Sequence, residues 1–152
     1  MKQEDKDLLL KDLSARLPYG IKIKTEYFAK ATLISIRKNI SYGANKDLLV
    51  TYDISGEENP FQTDERISTI SKIKPYLFPL SSMTEEQYEE FIRVSGWDGD
   101  IEDIKRGKFS CIGYIGLDYI YDTIDWFHKN HIDYRGLIPM GLAIDATNLN
   151  IY

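Results

Sequence analysis

The chain has 152 residues, 19 Lys and Arg against 24 Asp and Glu for a formal net charge of −5, and is 43% hydrophobic and 28% charged. These proportions are those of a globular chain and exclude intrinsic disorder as its main state. No apolar run approaches the roughly 20 residues of a membrane span, the charged stretch Met1 to Asp7 is unlike a secretory signal, and a single cysteine excludes an intramolecular disulfide or a Cys-pair zinc site, so the expectation is a cytoplasmic protein.

Residues 4 to 17 place Leu9, Leu10, Leu13 and Leu17 at helical spacing, with Glu4 and Asp5 early and Lys11 and Arg16 late, to suit the helix dipole. Leu17-Pro18 and Tyr19-Gly20 stop this helix. From Ile21 to Tyr27 the period becomes two, the pattern of a half-buried antiparallel strand. Further strands are expected over Ala31 to Arg37, alternating around Thr32, Ile34 and Ile36, and over Leu48 to Ile54, around Val50, Tyr52 and Ile54. A turn at Gly43 separates these two, and Ser55 to Arg66 is the longest polar loop. A fourth strand, Ile67 to Lys74, ends at Pro75, whose missing N–H suits an edge or a strand end.

Thr84 and Gln87 form a capping box, Met83 and Tyr88 a hydrophobic staple, and Gly96 a C-terminal stop, which predicts a helix with Tyr88, Phe91 and Ile92 facing inward. After an apolar extended segment, Phe109 to Leu117, a third helix spans about Tyr119 to Asn130, with Asp118 as N-cap and Ile120, Ile124 and Phe127 inward. An irregular tail follows, with a short strand at Leu142 to Asp145. The order predicts an α+β fold. A small antiparallel sheet, which could curl into a barrel, follows an N-terminal helix and packs with two further helices and the tail. Residues 1–80 form a helix-plus-sheet lobe and 81–152 a helical lobe, together one compact domain.

Charge alternates along the chain. Lys22, Lys24, Lys30, Arg37, Lys38 and Lys46 face only Glu26 between residues 21 and 46, whereas 47–66 and 81–103 are strongly acidic. Asp125, His128 and His131 have a spacing that could ligate a metal, but Asp125 and Lys129 equally make an i, i+4 ion pair, and no metal is expected. Cys111 sits in an apolar segment that matches no nucleophile motif, and Gly113-x-x-Gly116 lacks the remainder of any phosphate-loop signature. Asp98, Asp100 and Glu102 imitate the first positions of a calcium loop, but Asp103 stands where the glycine is required.

The aromatic content of 12% is the stronger lead. Trp97 follows Gly96 in an exposed-looking Gly-Trp-Asp-Gly turn, Tyr134 precedes Arg135, and Tyr76 lies near Lys74. Rings beside cations suit stacking on, and charge pairing with, a phosphorylated base.

Three stretches, Lys11 to Ile23 (KDLSARLPYGIKI), Lys74 to Phe91 (KPYLFPLSSMTEEQYEEF) and Asp125 to Ala146 (DWFHKNHIDYRGLIPMGLAIDA), resemble short uncharacterised proteins encoded by gut-bacterial phages and mobile elements. The resemblance implies a genomic setting, a bacterial host cell in which small accessory proteins counter host defences, and no activity or catalytic residue. The expectation is a non-enzymatic, cofactor-free homo-oligomer that binds a small anionic, nucleotide-type ligand, with Trp97, Tyr76 and Tyr134 stacking and Lys74 and Arg135 meeting phosphate. Two other readings stand beside it. One is a protein-interaction module that inhibits a host protein through its acidic helix face and edge strand, and the other is a nucleic-acid-binding small barrel.

Overall fold

The computed structural model describes residues 1–38, 48–54, 65–108 and 117–152. Helix α1 (Gln3–Arg16) runs into a 3-10 turn at Leu17–Tyr19. Strands β1 (Lys22–Lys24), β2 (Ala31–Lys38), β3 (Leu48–Asp53), β4 (Glu65–Thr69) and β5 (Lys74–Leu77) follow. Then come α2 (Glu85–Ser95), α3 (Ile101–Lys105), α4 (Leu117–Lys129) and the two-residue strand β6 (Ile144–Asp145). The architecture is α+β, as expected. The segments read as the turn at Gly43, as most of the polar loop and as the apolar stretch with Cys111 lie outside the described residues, and no described helix is long and apolar enough to cross a membrane.

Among the described residues the sheet is six-stranded and mixed, in the order β4-β3-β2-β1-β5-β6, and it does not close. The expected antiparallel pairing holds from β1 to β5, and the tail adds a parallel strand, β6 returning alongside β5 with Tyr76 opposite Ile144 and Leu77 opposite Asp145. The fourth predicted strand divides. Its first part is β4, a 3-10 turn at Ile70–Lys72 carries the chain from β4 to the other side of the sheet, and Pro75 falls inside β5 opposite Ile23. The proline is tolerated there because the β6 ladder begins only at Tyr76.

A register shift between Leu33 and Ser35 changes which side of β2 meets the core. Ala31 and Leu33 are buried and Ile34 is exposed, yet Ile36, opposite Val50, packs against the core again. One extra residue in the ladder resets a two-residue period, so the expected inward placing of Ile34 fails while that of Ile36 holds.

Two apolar clusters form. Leu9 and Leu13 of α1 cover the sheet face of Ile21, Ile23, Leu33, Val50 and Tyr52, and the tail adds Leu137 and Leu142. The second cluster joins α2, α3 and α4 through Tyr88, Phe91, Ile104, Trp126 and Phe127. The capping box at Thr84 and Gln87 is present, and Gly96 ends α2 at φ 63°. Helix α4 buries Thr123, Trp126 and Phe127 while Ile124 is exposed, a rotation of its inner face from the expected Ile120–Ile124 line. It begins at Leu117, so Asp118 lies inside the helix rather than before it.

Candidate functional site

Asp12 and Arg16 are one turn apart on α1 and both are fully buried. Arg16 donates from Nε to Asp12 Oδ2 at 2.8 Å and from Nη2 to Oδ1 at 3.2 Å. It also donates from Nη1 to the Phe127 carbonyl at 3.1 Å and from Nη2 to the Ile132 carbonyl at 2.8 Å. A buried guanidinium is costly unless its donors are satisfied, and besides Asp12 it meets the Phe127 carbonyl in the last turn of α4, where the helix dipole is negative, and the Ile132 carbonyl beyond the helix. Arg135 reaches the same carboxylate, donating from Nε to Asp12 Oδ1 at 3.2 Å. One carboxylate thus holds two guanidiniums, and the surplus positive charge emerges at Arg135, which is 19% exposed.

The segment that carries Arg135 is tied down on all sides. The Phe78 N–H donates to the His131 carbonyl at 2.9 Å and the Asp133 N–H to the Phe78 carbonyl at 2.7 Å. The buried Asp133 carboxylate accepts from the Leu137 N–H at 2.8 Å and the Ile138 N–H at 2.7 Å. Gly136 lies between them at φ 74°, a left-handed turn that favours glycine. Tyr134 stacks on Phe127 with ring centroids 5.0 Å apart, its hydroxyl meets His128 Nε2 at 2.9 Å, and the Arg135 guanidinium lies 4.7 Å from its ring centroid. Burial raises the Tyr134 pKa, and burial followed by the nearby Arg16 charge lowers that of His128, so the pair is held neutral.

Lys105 and Arg106, at the end of α3, stand across from this segment and enclose with it a groove of about 390 Å³, floored by Leu80, Gly107 and Ile138. Lys105 bonds Glu102 Oε1 at 2.7 Å and lies 5.5 Å from the Tyr88 ring centroid. The groove therefore presents Lys105, Arg106 and Arg135, while its one lining carboxylate, Asp133, spends its oxygens on backbone amides.

The structure distributes the sequence-predicted contacts. Tyr134 and Arg135 line the groove, but the Tyr134 ring is engaged by Phe127 and Arg135 and serves to hold the guanidinium. Lys74 lines a different groove, of about 560 Å³, with Lys24 and Lys72, the last paired to Glu26 at 2.9 Å. Tyr76 is buried and donates its hydroxyl to the Ala29 carbonyl. Trp97, read as exposed, is 5% exposed and belongs to the helical core, its indole folded over Gly99. Asp125, His128 and His131 turn to separate partners, Asp125 accepting from the Tyr19 hydroxyl, His128 meeting Tyr134 and His131 stacking on Tyr152.

Sequence reasoning missed Asp12, Arg16, Lys105 and Arg106 as parts of a site. The signal for the first two was the placing of an acid and a base four apart inside the Leu9–Leu13–Leu17 stripe, which implies a paired, buried charge rather than a solvated one. In comparisons with protein-family models, curated proteins and solved structures, the chain matches none.

Proposed function

We propose that the protein is a non-enzymatic binder that captures a small phosphate-bearing anion in the groove of Lys105, Arg106 and Arg135. The observation that carries this reading is the attachment of Arg135 to fully buried Asp12. A guanidinium fixed from below loses little side-chain freedom when it meets a phosphate, and its fork matches phosphate oxygens. The lysines around Lys74 form a looser alternative, since Lys72 and its partner Glu26 are about half exposed and such pairs contribute little order. The carboxylate in the groove is buried and accepts a backbone amide at each oxygen, a structural role that favours capture over turnover. The resemblance to phage and mobile-element proteins suggests the setting, removal of a signalling nucleotide used by host defence.

Calorimetric titration with inorganic pyrophosphate tests the reading. Binding should weaken roughly tenfold in Arg106→Ala and fall with added salt, because exposed charge contacts are screened. Absence of pyrophosphate binding at low salt, or equal binding by Arg106→Ala and Lys74→Ala proteins, overturns it.

A further inference from the structure

A second groove, of about 420 Å³, adjoins the first across α2 and α3. Ser81 and Lys105 line both, so the two grooves share one stretch of surface with Lys105 at the boundary. The chemistry differs sharply along it. Met83, Tyr88, Ile92 and Ile101 give the second groove an apolar lining, and Glu85 and Glu89 give it an acidic rim. Ile101 is 39% exposed and offers its side chain to the groove. Tyr88 spends its hydroxyl on the Leu80 carbonyl, which leaves the tyrosine fixed as a wall.

Resting on the anion-capture reading, we infer that the second groove is the subsite for the other end of the same ligand, a planar, amino-bearing heterocycle joined to the phosphate. The polarity sets the orientation. A phosphate is repelled by Glu85 and Glu89 and drawn to Arg106 and Arg135, whereas exocyclic amino groups donate to carboxylates and a flat ring buries its faces against Met83 and Ile92. Lys105, paired with Glu102 on one side, stands where the two ends of such a ligand join. The class is therefore a nucleoside phosphate whose base carries an amino group, bound by its base edge and its phosphate together.

The test compares inorganic phosphate with adenosine and cytidine 5′-monophosphates by calorimetry on the full chain, in wild type and in Glu89→Gln, Ile101→Ser and Arg106→Ala proteins. Glu89 and Ile101 are exposed on α2 and α3, and thermal melts of the variants check that they fold. At least one nucleotide should bind roughly tenfold more tightly than phosphate, and Glu89→Gln and Ile101→Ser should each erode that advantage about three- to tenfold without changing phosphate affinity. Arg106→Ala should weaken phosphate and nucleotide alike. Phosphate binding with no nucleotide advantage, or an advantage untouched by both groove variants, overturns the inference and leaves the anion site standing. Failure of phosphate and both nucleotides to bind removes the anion site, and the inference with it.

Discussion

His131 lies flat against Tyr152, ring centroids 4.1 Å apart and planes 14° apart, and so fastens the last residue of the chain to the turn that follows α4. His131 adopts φ 54°, its buried Nδ1 has no hydrogen-bond partner, and burial with the nearby Arg16 and Lys22 charges lowers its pKa from 6.5 to about 4. The unfolded chain takes up a proton near pH 6.5 that the folded chain refuses until about pH 4, so this histidine's contribution is whole above 6.5 and is lost as pH falls between those values. Full loss amounts to about 3 kcal/mol. His131→Asn, chosen because asparagine tolerates the left-handed backbone, should flatten the decline of urea-unfolding stability from pH 6.5 to 4; an unchanged slope assigns the decline to other groups.

The Tyr152 hydroxyl donates to the Tyr76 carbonyl at 2.7 Å and accepts from the Lys22 N–H at 3.3 Å, so one phenol bridges β5 and β1. Burial is the main cause of its raised pKa, which keeps the hydroxyl a donor at all physiological pH. Tyr152→Phe should keep the stack on His131 and lose about 1–2 kcal/mol through the two unmet backbone groups. Deleting Tyr152 should cost more, since the ring is lost as well. Equal melting temperatures for Tyr152→Phe and wild type would show that water replaces both bonds.

Asp12→Asn removes the carboxylate charge that Arg16 and Arg135 share. The guanidinium of Arg16 stays buried with its two carbonyl bonds and no counter-charge, a situation that costs about 3–5 kcal/mol. Replacing the pair together, Asp12→Leu with Arg16→Met, should recover much of this because similar volume fills the space without a charge to desolvate. Chemical denaturation of the two variants checks the order, and a double variant less stable than Asp12→Asn would contradict it.

The parts of the fold that could be read in advance are those fixed within a few residues. Helix α2 is announced by Thr84, Gln87, Met83, Tyr88 and Gly96, each acting within one or two turns, and all behave as their spacing requires. Partners far apart in sequence are what the pattern hides. The division of β4 from β5 was hidden in the same way, since exposed Ile67 and buried Ile70 fit the alternation of one strand, and only the 3-10 turn brings Ile70 and Ile73, three apart, into the core together. For the site, the Tyr134–Arg135 pair was legible as ring beside cation, but its meaning depends on Asp12, 123 residues away. Lys105 and Arg106 were legible as a basic stretch but not as part of a site, because α3 has five residues and shows too little periodicity to place a face.

Trp97 supplies the last prediction, because its burial follows from a neighbour with no side chain. A Cβ on Gly99 would stand 2.6 Å from Trp97 Cζ2 and 2.7 Å from Cε2, well inside van der Waals contact. The indole cannot yield easily, since it belongs to the cluster with Phe91, Ile104 and Trp126. Gly99→Ala should therefore push the indole outward or strain the turn before α3, at a cost of about 1–3 kcal/mol. In a Trp126→Phe background Trp97 is the sole tryptophan, since the chain has two. Its emission should then shift to the red in Gly99→Ala as the ring meets water. Emission and melting temperature both unchanged would mean that the indole does not rest on Gly99, and the exposed turn expected from the sequence would again be the better description.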